Sequence, residues 1–170
     1  MSMIDKVRAD ARTALFDVLD ETRAGMLGLK NADQHMQPMT HHADRDTAEL
    51  WFITSAETDL VRTMGQGGKA HYCLTKGDGT FYACLTGRLM PSDDAAKLDE
   101  VWSVVASAWF EEGRDDPDVT LLRFALEDAA IWTATDSAVT FGLEIARAKF
   151  NADKQPDLGD HRIVNFGAGA

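Results

Sequence analysis

The sequence predicts an α+β domain built on a small antiparallel β-barrel with flanking helices. Three observations predict it. Five or six short apolar runs follow one another between Arg23 and Ala134. One pair of runs is joined by Gly77-Asp78-Gly79, a strong hairpin signal. Helical periodicity is confined to the chain ends and two crossovers, which disfavours an open parallel sheet.

The elements follow in order. Ile4, Val7, Ala11, Leu15 and Val18 recur at helical spacing, so one helix is expected over 4–22 with Ser2 as its N-cap. Strands are expected at Gly25–Lys30 and Gln37–His42. Leu50–Thr54 is a dense apolar run that suits a strand buried on both faces. A short helix over Thr58–Met64 stops at Gly65-Gln66-Gly67-Gly68. The hairpin pairs Lys69–Lys76 with Thr80–Met90. With Asp78 and Gly79 as the central turn residues, Cys73 faces Cys84 and Tyr72 faces Leu85. Tyr72, Leu74, Phe81, Ala83 and Leu85 then share a core face. His71, Cys73, Thr75, Tyr82, Cys84 and Thr86 share the other. A second long helix is expected over Ser92–Ala108, with Asp93 and Asp94 at its positive end. Strands Val119–Leu126 and Ala129–Ala134 and a helix over Ser137–Phe150 complete the domain, 1–150. Residues 151–170 read as a polar, mobile tail in which Ile163, Val164 and Phe166 are able to dock.

Composition bounds the function. A chain of 170 residues, 45% hydrophobic and 26% charged, supports one domain with a real core. Its net charge of −11 disfavours nucleic acid and anionic lipid as partners. No apolar run has the length of a membrane span, and the first residues lack the basic and apolar blocks of a signal peptide. These features assign the chain to the cytoplasm. Two cysteines make no disulfide scaffold, and Cys73 and Cys84 are read as reduced strand residues. His35, His41 and His42 lie close in sequence but lack the spacing of a metal motif, so no metal site is assigned.

The junction after Trp51–Thr54 carries more information. A buried strand ends in Ser55 and a helix begins within a few residues, with Thr58 as a further hydroxyl. Hydroxyls and free N–H groups at a helix start suit an anion, although the same residues also serve as plain caps. Trp109 closes a helix beside a polar loop, where a large aromatic serves as a lid, a partner contact or a surface for a flat ligand.

Taken in order, Gln37-Pro38-Met39-Thr40, Trp51-Phe52-Ile53-Thr54-Ser55, Thr86-Gly87-Arg88-Leu89, Ala108-Trp109-Phe110-Glu111-Glu112-Gly113, Asp115-Asp116-Pro117-Asp118, Leu121-Leu122-Arg123 and Ala130-Ile131-Trp132 form a recognisable series. The series resembles the general stress protein branch of the pyridoxamine 5′-phosphate oxidase-like, FMN-binding split-barrel proteins, over about Arg12 to Phe150. The resemblance implies a six-stranded split barrel and a homodimer with FMN between subunits. It implies that Met39 and Thr40 line the isoalloxazine. Phe52, Ile53, Thr54 and Ser55 would run along the flavin and ribityl chain, Thr58 would sit near the phosphate, and Trp109 would reach over from the neighbouring subunit. The sequence departs from the family pattern at Leu60, where many members carry a lysine, and at Ala56, where many carry a basic residue. Lys69 or Arg62 then becomes the expected phosphate partner. Ile131 and Thr133 depart from the usual Tyr and Asp.

The function this implies is a flavin-binding stress protein with weak oxidoreductase activity. The alternatives are pyridoxamine 5′-phosphate oxidase activity and a cofactor-free structural or regulatory dimer. No residue stands out as an acid or base, so the catalytic residues stay unassigned, with Arg88 and His71 the nearest candidates.

Overall fold

The structure is a computed structural model that describes residues 1–150 and 157–167. Its helices are α1 (Met3–Ala9), α2 (Ala11–Glu21), α3 (Asp59–Met64), α4 (Ala95–Val101), α5 (Val104–Ser107) and α6 (Ala138–Phe150). Its strands are β1 (Ala24–Leu29), β2 (Gln37–Thr40), β3 (His42–Asp44), β4 (Glu49–Ser55), β5 (Gly68–Thr75), β6 (Phe81–Ser92), β7 (Val119–Ala134) and β8 (Gly159–Asn165). The strands form one antiparallel sheet in the order β2-β1-β5-β6-β7-β4-β3, and β8 adds to β7. The sheet curls until β2 approaches β4 without pairing to it, giving a split barrel of eight strands where six were expected.

The core lies inside the curl. Leu27, Leu50, Phe52, Tyr72, Leu85 and Phe124 point inward and are almost wholly buried. Leu15, Phe16 and Leu19 of α2 close one side of this cluster, and Leu60 and Met64 of α3 join it. A second cluster covers the outer face of β4: Trp51 packs with Val101 and Leu121, backed by Ile53 and Leu98. The run Leu50–Thr54 is therefore buried on both faces, as its composition predicts.

The expected helix over 4–22 is two helices. Asp10 is extended at the break, and its carboxylate caps α2 by accepting from the Thr13 N–H at 2.9 Å. Ser2 caps α1 in a capping box with Asp5. The helix expected over 92–108 also divides, with Trp102 and Ser103 between α4 and α5. In both cases the periodic pattern runs through a residue whose backbone leaves the helix.

The hairpin register is the expected one, with Cys73 opposite Cys84 and Tyr72 opposite Leu85. The turn is different. The Gly79 N–H donates to the Lys76 carbonyl at 2.9 Å, so Gly77 and Asp78 are the central residues. Gly79 follows at φ 72°, and Asp78 holds the turn by accepting from the Thr80 N–H at 3.0 Å.

The two strands expected at 119–126 and 129–134 are one strand. Leu126 faces Gly87 and Asp128 faces Thr86, so Glu127 is the extra residue of a β-bulge. A bulge reverses the inward and outward alternation, which makes one strand read as two. Gly87 sits at this bulge because a Cβ there would overlap the Ala125 carbonyl oxygen.

Part of the expected tail is ordered. Gly159–Asn165 pairs along β7, and Val164 and Phe166 pack against the core, with Phe166 edge-on to Phe16 at 6.1 Å. Residues 151–156 and 168–170 of that tail lie outside the described residues. No helix among the described residues is long and apolar enough to cross a membrane.

Candidate functional site

The junction at Ser55 opens onto a cavity of about 520 Å³ between β2, the end of β4 and the α5–Trp109 segment. Met39, Thr40, Ile53, Thr54, Ser55, Thr58 and Trp109 all line it. These are seven of the nine residues singled out from the sequence, brought together from four separate stretches of chain. The volume lies within the range of small-molecule and cofactor sites.

The other two lie elsewhere. Phe52 points into the barrel, fully buried, with its ring 5.2 Å from Tyr72 and 6.5 Å from Phe124. Strand alternation explains this, since Phe52 and Ile53 face opposite sides of β4. Lys69 starts β5, is not part of the cavity wall, and forms an ion pair with Glu127. The bulge that displaces Glu127 from the β7 register supplies this partner. Arg62, the other expected phosphate partner, is paired with Glu57. Arg88 and His71 face each other's strand across the β5–β6 ladder, away from the cavity wall.

The junction hydroxyls act first as caps. The Ser55 hydroxyl accepts from the Glu57 N–H at 3.1 Å. The Thr58 hydroxyl accepts from the Val61 N–H at 3.4 Å and donates to the Ser55 carbonyl at 3.1 Å. These bonds occupy N–H groups at the start of α3. Beyond these caps, Ser55 keeps donor capacity, and Thr40, Thr54 and Ser103 are further hydroxyl-bearing residues of the wall.

Seven further wall residues were not singled out from the sequence, Pro38, Ala106 and Phe110 together with the polar Arg23, Gln37, His42 and Ser103. Arg23 matters most. Among the described residues it is the one arginine or lysine in the wall, and it enters no ion pair. Among the described residues the wall contains no Asp or Glu, in a chain that has 28 of them. His42 titrates below the ordinary histidine range, chiefly through burial and also through neighbouring His41, so it is neutral at pH 7.

The floor of the site is held from behind. The buried His41 ring places Nε2 2.8 Å from the Leu19 carbonyl, which only accepts, so Nε2 carries the proton. Nδ1 then accepts from the Tyr72 hydroxyl at 2.6 Å. The same hydroxyl lies 3.0 Å from the Met39 carbonyl. This chain of contacts ties α2 and β5 to β2, the strand that carries Met39 and Thr40. It also explains why the expected strand 37–42 is interrupted, because the His41 side chain turns into the core between β2 and β3.

Comparison with known proteins fits this geometry. Residues 10–157 match the family model described as pyridoxamine 5′-phosphate oxidase like. The chain belongs to that family. It is similar to a structure described as general stress protein 26 from Jannaschia sp. CCS1, at 37% identity over 93% of this chain and 99% of that one, with a TM-score of 0.76. It is also similar to a general stress family protein from Xanthomonas campestris pv. campestris, at 30% identity over 76% and 90% of the two chains, TM-score 0.69. A third similar structure is the general stress FMN/FAD binding protein of Xanthomonas citri, at 31% identity over 72% and 87%, TM-score 0.66. No curated protein matches the chain. The family assignment expected from the ordered motifs holds, as does the α+β split-barrel fold.

Proposed function

We propose that the cavity binds FMN and that the protein is a flavin-binding stress protein working as a homodimer in the cytoplasm. The observation that carries this reading is the wall itself, which among the described residues has one arginine without an ion pair, several hydroxyls, two aromatic side chains and no carboxylate. Such a wall suits a flat ring system bearing a phosphate. A dianion is repelled by the acidic surface as a whole but meets one cation here. The Xanthomonas citri relative, described as FMN/FAD binding, supports the same ligand class.

In this reading Met39, Thr40 and Ile53 flank the ring, and Thr54, Ser55 and Thr58 line the ribityl and phosphate end. Arg23 takes the neutralising role once given to Lys69. Phe52 acts from behind, by fixing β4. Bound FMN supplies two-electron redox chemistry at its isoalloxazine ring. The chain's own residues bind it, orient it and limit water at one face. Among the described wall residues Arg23 stays protonated and neutral His42 is the one side chain able to exchange a proton near neutral pH, so the others provide position. Trp109 is 81% exposed at the cavity rim, which suits contact with a second copy or with the ring. Val139 and Leu143 of α6 add exposed apolar surface for such a contact.

Pyridoxamine 5′-phosphate oxidase activity is a poorer fit. It requires a second phosphate beside that of FMN, and the wall offers a single cation.

The test is the visible spectrum of the purified protein followed by FMN titration. Flavin absorption bands, or binding in the micromolar range or tighter, support the proposal. A colourless protein that ignores FMN overturns it. Sedimentation at the same concentrations tests the dimer, and a monomer with full FMN affinity would contradict that part.

A further inference from the structure

The outer face of the β5–β6 hairpin holds both cysteines of the chain, and the flavin reading gives them no task. Cys73 and Cys84 are directly opposite each other. Whether two such residues can bond depends on which kind of pair they form. The Lys76 N–H donates to the Phe81 carbonyl at 2.9 Å, so Lys76 and Phe81 are a hydrogen-bonded pair. The two kinds alternate along an antiparallel ladder. Thr75 and Tyr82 are then non-hydrogen-bonded, Leu74 and Ala83 hydrogen-bonded, and Cys73 and Cys84 non-hydrogen-bonded.

That position has the shorter separation, about 4.5 Å between Cα atoms, with both side chains on the same face. A disulfide accepts roughly 4.4–6.8 Å. The pair therefore sits at the short end of the permitted range. A bridge forms there with little backbone movement, and being short it is easily reduced again. Both residues are partly exposed, and Cys73 lines an apolar groove of about 430 Å³ with Met26, Pro38 and Tyr82, through which a small oxidant has access.

We propose that Cys73 and Cys84 form a reversible cross-strand disulfide when the protein meets hydrogen peroxide. The Cys84 sulfur attacks a peroxide oxygen, the O–O bond breaks, and water leaves once the departing oxygen takes up a proton. Cys84 is then a sulfenic acid. The Cys73 sulfur attacks Cys84, the S–O bond breaks, a second water leaves, and the S–S bond forms. Two thiols lose two electrons and two protons, and the peroxide is reduced to two waters. The order of attack follows from the surroundings of Cys73. Burial and the neighbouring Cys84 push the Cys73 thiol up to about 12, so Cys73 keeps its proton. The chemistry needs no flavin, so it stands apart from the proposed function.

The test treats the reduced full-length protein with stoichiometric hydrogen peroxide and reads its intact mass without reductant. The expected product is a single chain lighter by two hydrogen atoms, with both cysteines closed to maleimide and both reopened by dithiothreitol. With no other cysteine in the chain, that mass change has one meaning. Added oxygen on one cysteine with the other still alkylated overturns the proposal. So does a disulfide between two chains, or no reaction under conditions that oxidise a free-thiol control. In Cys73→Ser the sulfenic acid at Cys84 is expected to persist and be trapped by dimedone. Equal or stronger trapping at Cys73 in Cys84→Ser overturns the assigned order.

Discussion

Two regions of this molecule use their cations in opposite ways. On the outer surface cations are spent on nearby carboxylates: Arg62 on Glu57, Lys69 on Glu127, Arg45 on Asp17 and Asp20 at 3.0 Å each. At the cavity the pattern reverses, and Arg23 stands in a wall with no acid among the described residues. The difference teaches that a cation close in sequence to a site is not thereby available to it. Lys69 is neutralised by a residue 58 positions away that only the fold brings near. In a chain of net charge −11, the informative feature is where carboxylates are missing.

The largest expected effect separates the wall from its support. Phe52→Ala removes a fully buried ring that packs on Tyr72 and Phe124, and is expected to cost about 3–5 kcal/mol in urea unfolding. A variant near wild-type stability would mean that Phe52 is not the core residue described.

The next sharpens the comparison of cations. Arg23→Gln is expected to weaken FMN binding roughly tenfold, the scale of one charge-assisted contact, with riboflavin affinity unchanged because riboflavin has no phosphate. Lys69→Gln and Arg62→Gln are expected to leave both affinities within about twofold of wild type, since exposed surface pairs contribute little. Fluorescence titration with both ligands checks all three. A loss at Lys69 equal to that at Arg23 would break the comparison.

A smaller effect concerns pH. His41 and His42 both titrate below 6.5, with burial as the leading cause. The unfolded chain then takes up protons that the folded chain refuses. Their contribution to stability is complete above about pH 6.5 and is lost as pH falls from there toward the folded-state values. The urea midpoint is expected to be lower at about pH 5.5 than at pH 7.5, and the drop to shrink in His41→Asn even if that variant is weaker throughout. A midpoint that rises on acidification would contradict the buried neutral imidazoles.

Much of the fold was legible because local signals agreed with it. The Asp-Gly turn signal set the hairpin register, which held although the turn centres one residue earlier, and the dense run Leu50–Thr54 announced burial on both faces. Three of the misreadings share one physical source, a single residue that interrupts a periodic pattern. Asp10 turns from helix to cap, Glu127 bulges, and His41 turns inward between two strands. Of the candidate site, the strand-end residues Ile53, Thr54 and Ser55 were readable from the junction itself. Arg23 was not, because it lies at the turn between α2 and β1 and reaches the cavity only through the tertiary fold. No periodicity marks such a residue. The one available signal was negative, the scarcity of acid around residues 37–42 and 51–55 in an acidic chain.

The most direct test of the central claim is the ratio of FMN to riboflavin affinity, measured for wild type and for Arg23→Gln under one buffer and salt concentration. The account predicts that wild type prefers FMN and that the preference falls roughly tenfold in the variant while riboflavin binding stays the same. Flavin binding with no preference for the phosphate, or a preference untouched by the loss of Arg23, would contradict it.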